Sequence, residues 1–247
     1  MLKKRIIISL TFNDGILFRT KNFKADYRYT KNFIDLWSID ELILIDVSKK
    51  KFQKNFLKKI NFFSNNCFVP ISVGGGINSL KDADLYFQNG ADKVIICSEF
   101  NKDPIFVKTA SKNFGRQCVV LGIDIKIIND NYMIHTHLGE TKVSSNIKEY
   151  IKKAEDMGVG EFFINNIDRD GLMSGYDIEL LDTISNITSL PVIGSGGAGN
   201  FEHIYELFSK TKCSGAACSS IFHFGDNNPI RAASYLRNKG IEMKKIK

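Results

Sequence analysis

Two short stretches place carboxylates where they can do chemistry. Gly122-Ile123-Asp124 closes an apolar run and is followed by Lys126, which is expected on the ligand side together with Asn165 and Asp170 of the second stretch. A carboxylate at the end of a buried strand can have its pKa raised by burial and then act as a general acid or base near neutrality. The second stretch, Asn165-Asn166-Ile167-Asp168-Arg169-Asp170-Gly171, also follows an apolar run. Here Asp170 can face a ligand, while Asp168 and Arg169 can pair to hold the loop. The plainer alternative is an Asp-rich turn closed by its own backbone bonds.

Two glycine turns can receive anions. Pro70-Ile71-Ser72-Val73-Gly74-Gly75-Gly76 is echoed by Pro191-Val192-Ile193-Gly194-Ser195-Gly196-Gly197. Each runs from proline through a short apolar segment into glycines, with a helical pattern after it. Backbone N–H groups at such turns can approach a phosphate closely, and the next helix adds its N-terminal partial charge. A single turn of this kind reads more simply as a tight connection; two related turns favour phosphate sites at Gly75, Gly76, Gly196 and Gly197. Ser220, with Ser219, can add hydroxyl donors to the second site, and Arg19 can bring positive charge from a mobile loop. No Walker A pattern is present, so a P-loop nucleotide site is not expected.

Other chemistries find little support. His135 and His137 form an H-x-H with no third ligand in view, and none of the five cysteines forms a CxxC. No metal and no cofactor is expected. The net charge is +7, but the basic residues are spread out rather than gathered into a nucleic-acid-binding element. The densest group, Lys49-Lys50-Lys51, Lys54, Lys58 and Lys59, is interleaved with Phe52, Phe56, Leu57 and Ile60. That spacing predicts the solvated face of a helix. No apolar stretch approaches the ~20 residues of a membrane span, and Ile6–Leu10 is too short for a signal segment. A cytoplasmic protein is expected.

The elements that must hold these residues alternate along the whole chain. Candidate strands are Arg5–Leu10, Glu41–Asp46, Ile71–Val73, Lys93–Cys97, Cys118–Asp124, Glu161–Asn166, Val192–Gly194 and Gly215–Cys218. Helical patterns such as Leu80–Gln88, Ile147–Met157 and Phe201–Phe208 lie between them. Eight strand–helix units in one chain of 247 residues predict a single (β/α)8 TIM barrel over residues 1–247, with a two-fold half-barrel repeat. The glycine turns and both carboxylate loops then meet at the C-terminal mouth. Arg5, Glu41, Lys93 and Glu161 each begin a strand and would ring the opposite end. They can close a neutral ion-pair ring or simply be exposed charges at strand starts.

These residues resemble the synthase (cyclase) subunit of imidazole glycerol phosphate synthase. The matching stretches are Lys4-Arg5-Ile6-Ile7, Asp14-Gly15, Ile39-Asp40-Glu41-Leu42, Val73-Gly74-Gly75-Gly76-Ile77, Gly90-Ala91-Asp92-Lys93-Val94, Ile167-Asp168-Arg169-Asp170-Gly171, Ser174-Gly175-Tyr176-Asp177, Ser195-Gly196-Gly197-Ala198-Gly199 and Phe222-His223-Phe224. The resemblance implies a barrel docked on a glutaminase that releases ammonia at the bottom. Ammonia would pass a gate formed by Arg5, Glu41, Lys93 and Glu161 and follow the barrel axis. At the top it would meet a bisphosphorylated aminoimidazole-carboxamide ribonucleotide of histidine synthesis. Asp92 falls near the implied glutaminase interface, and Asp124 on a catalytic aspartate.

The chain departs from the family pattern at the mouth. The family has a catalytic aspartate directly after the first strand, where this chain has Thr11. Cys97 stands in place of asparagine, Asn165 of threonine and Leu138 of serine. Two readings follow. The chain is a paralogue that draws ammonia from a glutaminase for a separate ATP-using amidotransferase acting on nucleotide sugars in surface-polysaccharide synthesis, or it is the cyclase subunit of histidine biosynthesis. The substitution at Thr11 favours the first.

Overall fold

The computed structural model describes residues 3–28, 39–48, 54–223 and 227–243. Eight parallel strands close on themselves: β1 (Arg5–Asn13), β4 (Glu41–Asp46), β5 (Ile71–Gly74), β6 (Lys93–Ile96), β7 (Val119–Ile128), β10 (Glu161–Asn166), β11 (Val192–Ser195) and β12 (Gly215–Cys218). Closure comes from β12 pairing with β1 and β7 pairing with β10. Helices fill the crossovers: α1 (Lys54–Asn66), α2 (Leu80–Gln88), α3 (Ser98–Lys102), α4 (Pro104–Phe114), α5 (Ile147–Asp156), α6 (Ile178–Ile187), α7 (Phe201–Lys210), α8 (Ser220–His223) and α9 (Pro229–Asn238). The expected (β/α)8 barrel is therefore present.

Period-two alternation divides each strand between two cores. On β1, Ile6, Ile8 and Leu10 join the large core packed beneath the helices. Ile7 faces inward, in a smaller cluster with Ile43, Ile95, Val120, Phe163, Ile193 and Ala217. These seven side chains form an apolar belt across the barrel interior. Arg5 lies one inward step below Ile7, and Ser9 and Thr11 lie above it. The axis thus runs from charged through apolar to polar.

Capping chemistry explains where the helices begin. Ser79, Asp103, Asn146, Asp177, Asn200 and Asn228 each accept a bond from a first-turn N–H. Helix α1 buries Phe56, Ile60 and Phe63 and leaves Lys54 and Lys58 exposed, as a solvated basic face requires. Lys49, Lys50, Lys51 and Phe52 of that cluster, and Phe224 of the last matching stretch, lie outside the described residues. No helix of the described residues is long and apolar enough to cross a membrane.

The segment after the first strand differs from expectation. In place of a mobile loop, β1 runs on to Asn13 and pairs with β2 (Ile16–Lys21), which pairs in turn with β3 (Lys24–Arg28). Asp14 and Gly15 at the turn have φ of 51° and 70°, the two left-handed residues of a type I′ hairpin turn, for which Asp-Gly is a favoured pair. A second ribbon, β8 (Asn131–Thr136) with β9 (Thr141–Lys142), follows β7 and carries His135. The two ribbons leave the first and fifth strands of the barrel, in keeping with two similar halves.

Candidate functional site

At the N-terminal end of the barrel, Arg5, Glu41, Lys93 and Glu161 close a ring. Arg5 bonds Glu41 at 2.7 Å and also Glu161; Lys93 Nζ lies 2.8 Å from a carboxylate oxygen of each glutamate. Ser72 donates to Glu41 at 2.9 Å, and Arg5 donates to Ser214 at 3.0 Å. Glu41 is only 1% exposed, so its charge depends on these partners. Burial opposes the charges on Arg5 and Lys93, but Glu161 and Glu41 outweigh it and hold both pKa values above their ordinary range. Asp92, beside Lys93, accepts from the Ile71 N–H at 2.8 Å. It lines a shallow crevice with Phe68 at this same end, and Phe68 is 86% exposed.

The other end opens into a cavity of about 660 Å³. Its inner wall includes Ser9, Ile95, Gly122, Phe163 and Ala217, so its floor is the top of the apolar belt. Asp124 lies just above, with Cys97 Sγ 3.5 Å from Oδ2. Burial lifts the Asp124 pKa to about 7; hydrogen bonds from Cys97 and Asn165 pull against that rise, and the charge of Asp170 adds to it. Asn165 sits beside Asp124 in the β10–β7 register. Its Oδ1 is shut off from solvent and has no hydrogen-bond partner. Thr11 also lines the cavity, held between Phe18 of β2 and Ile45 of β4.

Gly75, Gly76, Gly196, Gly197 and Ser220 all line the same cavity, and their strands, β5 and β11, are opposite members of the closed sheet. The glycines also satisfy a packing demand. Gly75 has φ 125° and an added Cβ would fall 2.4 Å from the Asp46 carbonyl oxygen; at Gly197, with φ 104°, it would fall 2.1 Å from that of Gly175.

Around the β10 loop the sequence expectations are partly met. Asp170 lines the cavity and accepts from the Phe23 N–H at 3.1 Å. Burial raises its pKa, against bonds from Thr20 and Phe23 and the nearby charge of Arg19. Asp168 and Arg169 do not pair. Asp168 accepts from the Ile127 N–H at 2.6 Å, closing the loop against the β7 extension. Arg169 turns to the Gly175 carbonyl at 3.2 Å and lies 3.9 Å from Asp177. Arg19 sits on β2 and donates to the Gly171 carbonyl at 2.7 Å, behind the cavity wall. Lys126, two residues beyond Asp124, lies on the hairpin opposite Met133 and does not line the cavity.

Several lining residues escaped the sequence reading: Asp46, Ser98, Glu99, His137 and Glu140. Asp46 carried a usable signal, since it ends its strand as Asp124 does. Glu99 carried none, because only the turn from β6 into α3 brings it to the mouth. No group of three or more His, Cys, Asp or Glu suited to a metal ion occurs among the described residues.

A closed parallel barrel with polar residues gathered at the C-terminal ends of its strands is a (β/α)8 barrel protein with a candidate ligand site at the mouth. A family model described as "Histidine biosynthesis protein" matches residues 11–228. The chain is 38% identical to imidazole glycerol phosphate synthase subunit HisF of Chlorobaculum parvum, covering 99% of this chain and 100% of that one. Identity is 36% to the subunit of the same name from Chlorobium limicola over the same shares. It is 37% to that of Prosthecochloris aestuarii over 98% of each. The chain belongs to the histidine biosynthesis protein family, and its full-length relatives bear out the resemblance to the synthase subunit.

Proposed function

We propose that this chain is the ammonia-using barrel subunit of a glutamine-dependent synthase, docked on a separate glutaminase at the N-terminal end. The observation that carries the reading is the order of layers along one axis: a closed ion-pair ring, an apolar belt, then a polar mouth holding Asp124. An apolar belt favours neutral NH3 over ammonium, because an unpaired buried charge is costly. The ring can admit a small neutral molecule by shifting one side chain without exposing the whole interior. At the mouth, a carboxyl group with a pKa of about 7 can accept or return a proton at neutral pH.

The names of the relatives favour imidazole glycerol phosphate synthase, in which ammonia meets the ribonucleotide of histidine synthesis. A second reading is favoured by Thr11. With an uncharged hydroxyl at that position, the barrel delivers ammonia to a different acceptor, through a third, ATP-using amidotransferase of nucleotide-sugar metabolism. Turnover of the histidine intermediate with saturating ammonium and no glutaminase tests the choice. A rate within about tenfold of an ordinary cyclase supports the first reading. A deficit of about 10²-fold or more, the range of one positioned acid or base, supports the second.

A further inference from the structure

The partners of the Asp124 carboxyl group come from the two strands that flank β7. From the end of β6, the Cys97 thiol lies 3.5 Å from Oδ2. From β10, Asn165 stands beside Asp124 in the parallel register, and its side-chain amide bonds the carboxylate. β6 and β10 lie on opposite sides of β7, so thiol and amide reach the carboxyl group from opposite sides. No lysine or arginine among the described residues lines the cavity, and the ionised form of Asp124 relies on these two uncharged donors. The other titratable groups around it are Asp170 of the β10 loop, Tyr150 of α5 and His135 of β8, which pairs with Asp124 across the hairpin. Burial pushes the Tyr150 hydroxyl up, so it stays neutral. His135 is buried, and its ring meets the Met133 carbonyl at 3.1 Å. Glu99 and His137 line the same cavity from the start of α3 and the turn after β8.

The Asn165 amide is only half satisfied. Its nitrogen serves the carboxylate, while its Oδ1 is shut off from solvent and has no donor. A buried acceptor without a donor is unfavourable, and such atoms are rare in folded proteins. The two ends of a side-chain amide have nearly the same shape, so a half-turn exchanges oxygen and nitrogen within the same space. An ionised carboxylate only accepts, and it needs the nitrogen. A protonated carboxyl group carries an O–H donor and can bond the oxygen instead. The half-turned amide therefore gives the orphaned oxygen a partner when the carboxyl group gains a proton. Its nitrogen then turns toward β11, where Ser195 stands in register and offers a hydroxyl oxygen. On the other side the Cys97 thiol, which burial keeps protonated, remains a donor in both states.

We infer that Asn165 is a positioning residue for the Asp124 proton: its amide donates to the ionised carboxylate, turns over when the carboxyl group gains a proton, and then accepts from it. The acid form therefore carries its proton on the oxygen facing β10, and the oxygen facing Cys97 stays free of it. A ligand atom that takes this proton must reach it beside Asn165, and the amide turns back as the proton leaves. The inference rests on Asp124 being the proton-handling group of the proposed reaction, and it assigns the residue that sets where that proton sits.

Side-chain NMR of the chain across the Asp124 titration, which centres on about 7, tests this. Above the midpoint, the two Nδ2 protons of Asn165 should show Overhauser contacts to the Asp124 methylene. Below it those contacts should be lost and contacts to Ser195 gained, with the same midpoint as the Asp124 carboxyl carbon. In Asp124→Asn, which cannot titrate, the amide contacts should not change with pH. Amide contacts that stay the same while native Asp124 titrates would overturn the proposal. A pH-driven turn that persists in Asp124→Asn would do so too, since it would belong to Asp170 or another neighbour. The measurement uses no glutaminase, ammonia or substrate. A fixed amide leaves the synthase reading standing, and failure of that reading leaves the behaviour of the amide standing.

Discussion

Cys97 Sγ sits 3.5 Å from Asp124 Oδ2, so the buried carboxyl group above the apolar belt is bonded by a thiol. Burial, with the neighbouring Asp124 charge next, holds the Cys97 pKa well above its ordinary value. The sulfur therefore stays protonated and donates to the carboxylate. That bond lowers the Asp124 pKa against the larger effect of burial. Cys97→Ala should move the Asp124 titration upward from about 7, read by NMR of the carboxyl carbon. A downward move or no change would show that the thiol does not stabilise the ionised form.

Asp124 also links stability to pH. Its folded pKa of about 7 lies above the ordinary carboxylate value near ~3.9, so the folded state holds the proton more tightly. Its contribution is most favourable below the unfolded pKa, is lost as pH rises through the window from about 4 to about 7, and is flat above. Asp124→Asn should remove that slope and raise stability at pH 8 by roughly 4 kcal/mol relative to pH 4. Urea unfolding at the two pH values measures it. An equal effect of the substitution at both would contradict the assignment.

The ring makes a contrasting prediction. Lys93→Met leaves Glu41 and Glu161 to share Arg5, with buried charge uncompensated. A cost of about 3–5 kcal/mol is expected for breaking such a buried pair, and it should shrink at low pH as a glutamate takes up a proton. Thermal unfolding at neutral and acid pH checks both statements. A neutral effect at pH 7 would show the ring to be solvated and weak.

Thr11 carries the choice between acceptors. Thr11→Asp places a carboxylate on the first strand, across the barrel mouth from Asp124. If the loss of that group limits cyclisation, the variant should gain up to about 10²-fold or more on the histidine intermediate with ammonium. Native turnover already within about tenfold of an ordinary cyclase would contradict this.

The barrel was legible because strand and helix patterns alternate through the chain and because charges mark both ends of its strands. The ring was legible as a set of strand starts, yet only closure of the sheet shows that Arg5 and Lys93 each reach both Glu41 and Glu161. Arg19 and Lys126 stand near the mouth in sequence only. The hairpins carry them away from the cavity, since pairing with a neighbouring strand fixes where an extended segment points. The Asp168–Arg169 pair failed for a related reason: both side chains found backbone partners across the loop. Glu99 was invisible because a β-to-helix turn, rather than any periodicity, places it at the mouth.

On the proposed function, ammonia enters at the ring and is delivered at the mouth. Hydrogen exchange of the chain with and without its cognate glutaminase tests it most directly, whatever the final acceptor. Protection is expected at the strand starts around Arg5, Asp92 and Lys93 and in the crevice holding Phe68. The mouth loops at Gly75–Gly76 and Gly196–Gly197 should exchange as before. Protection confined to those mouth loops, with the ring end unchanged, would contradict it.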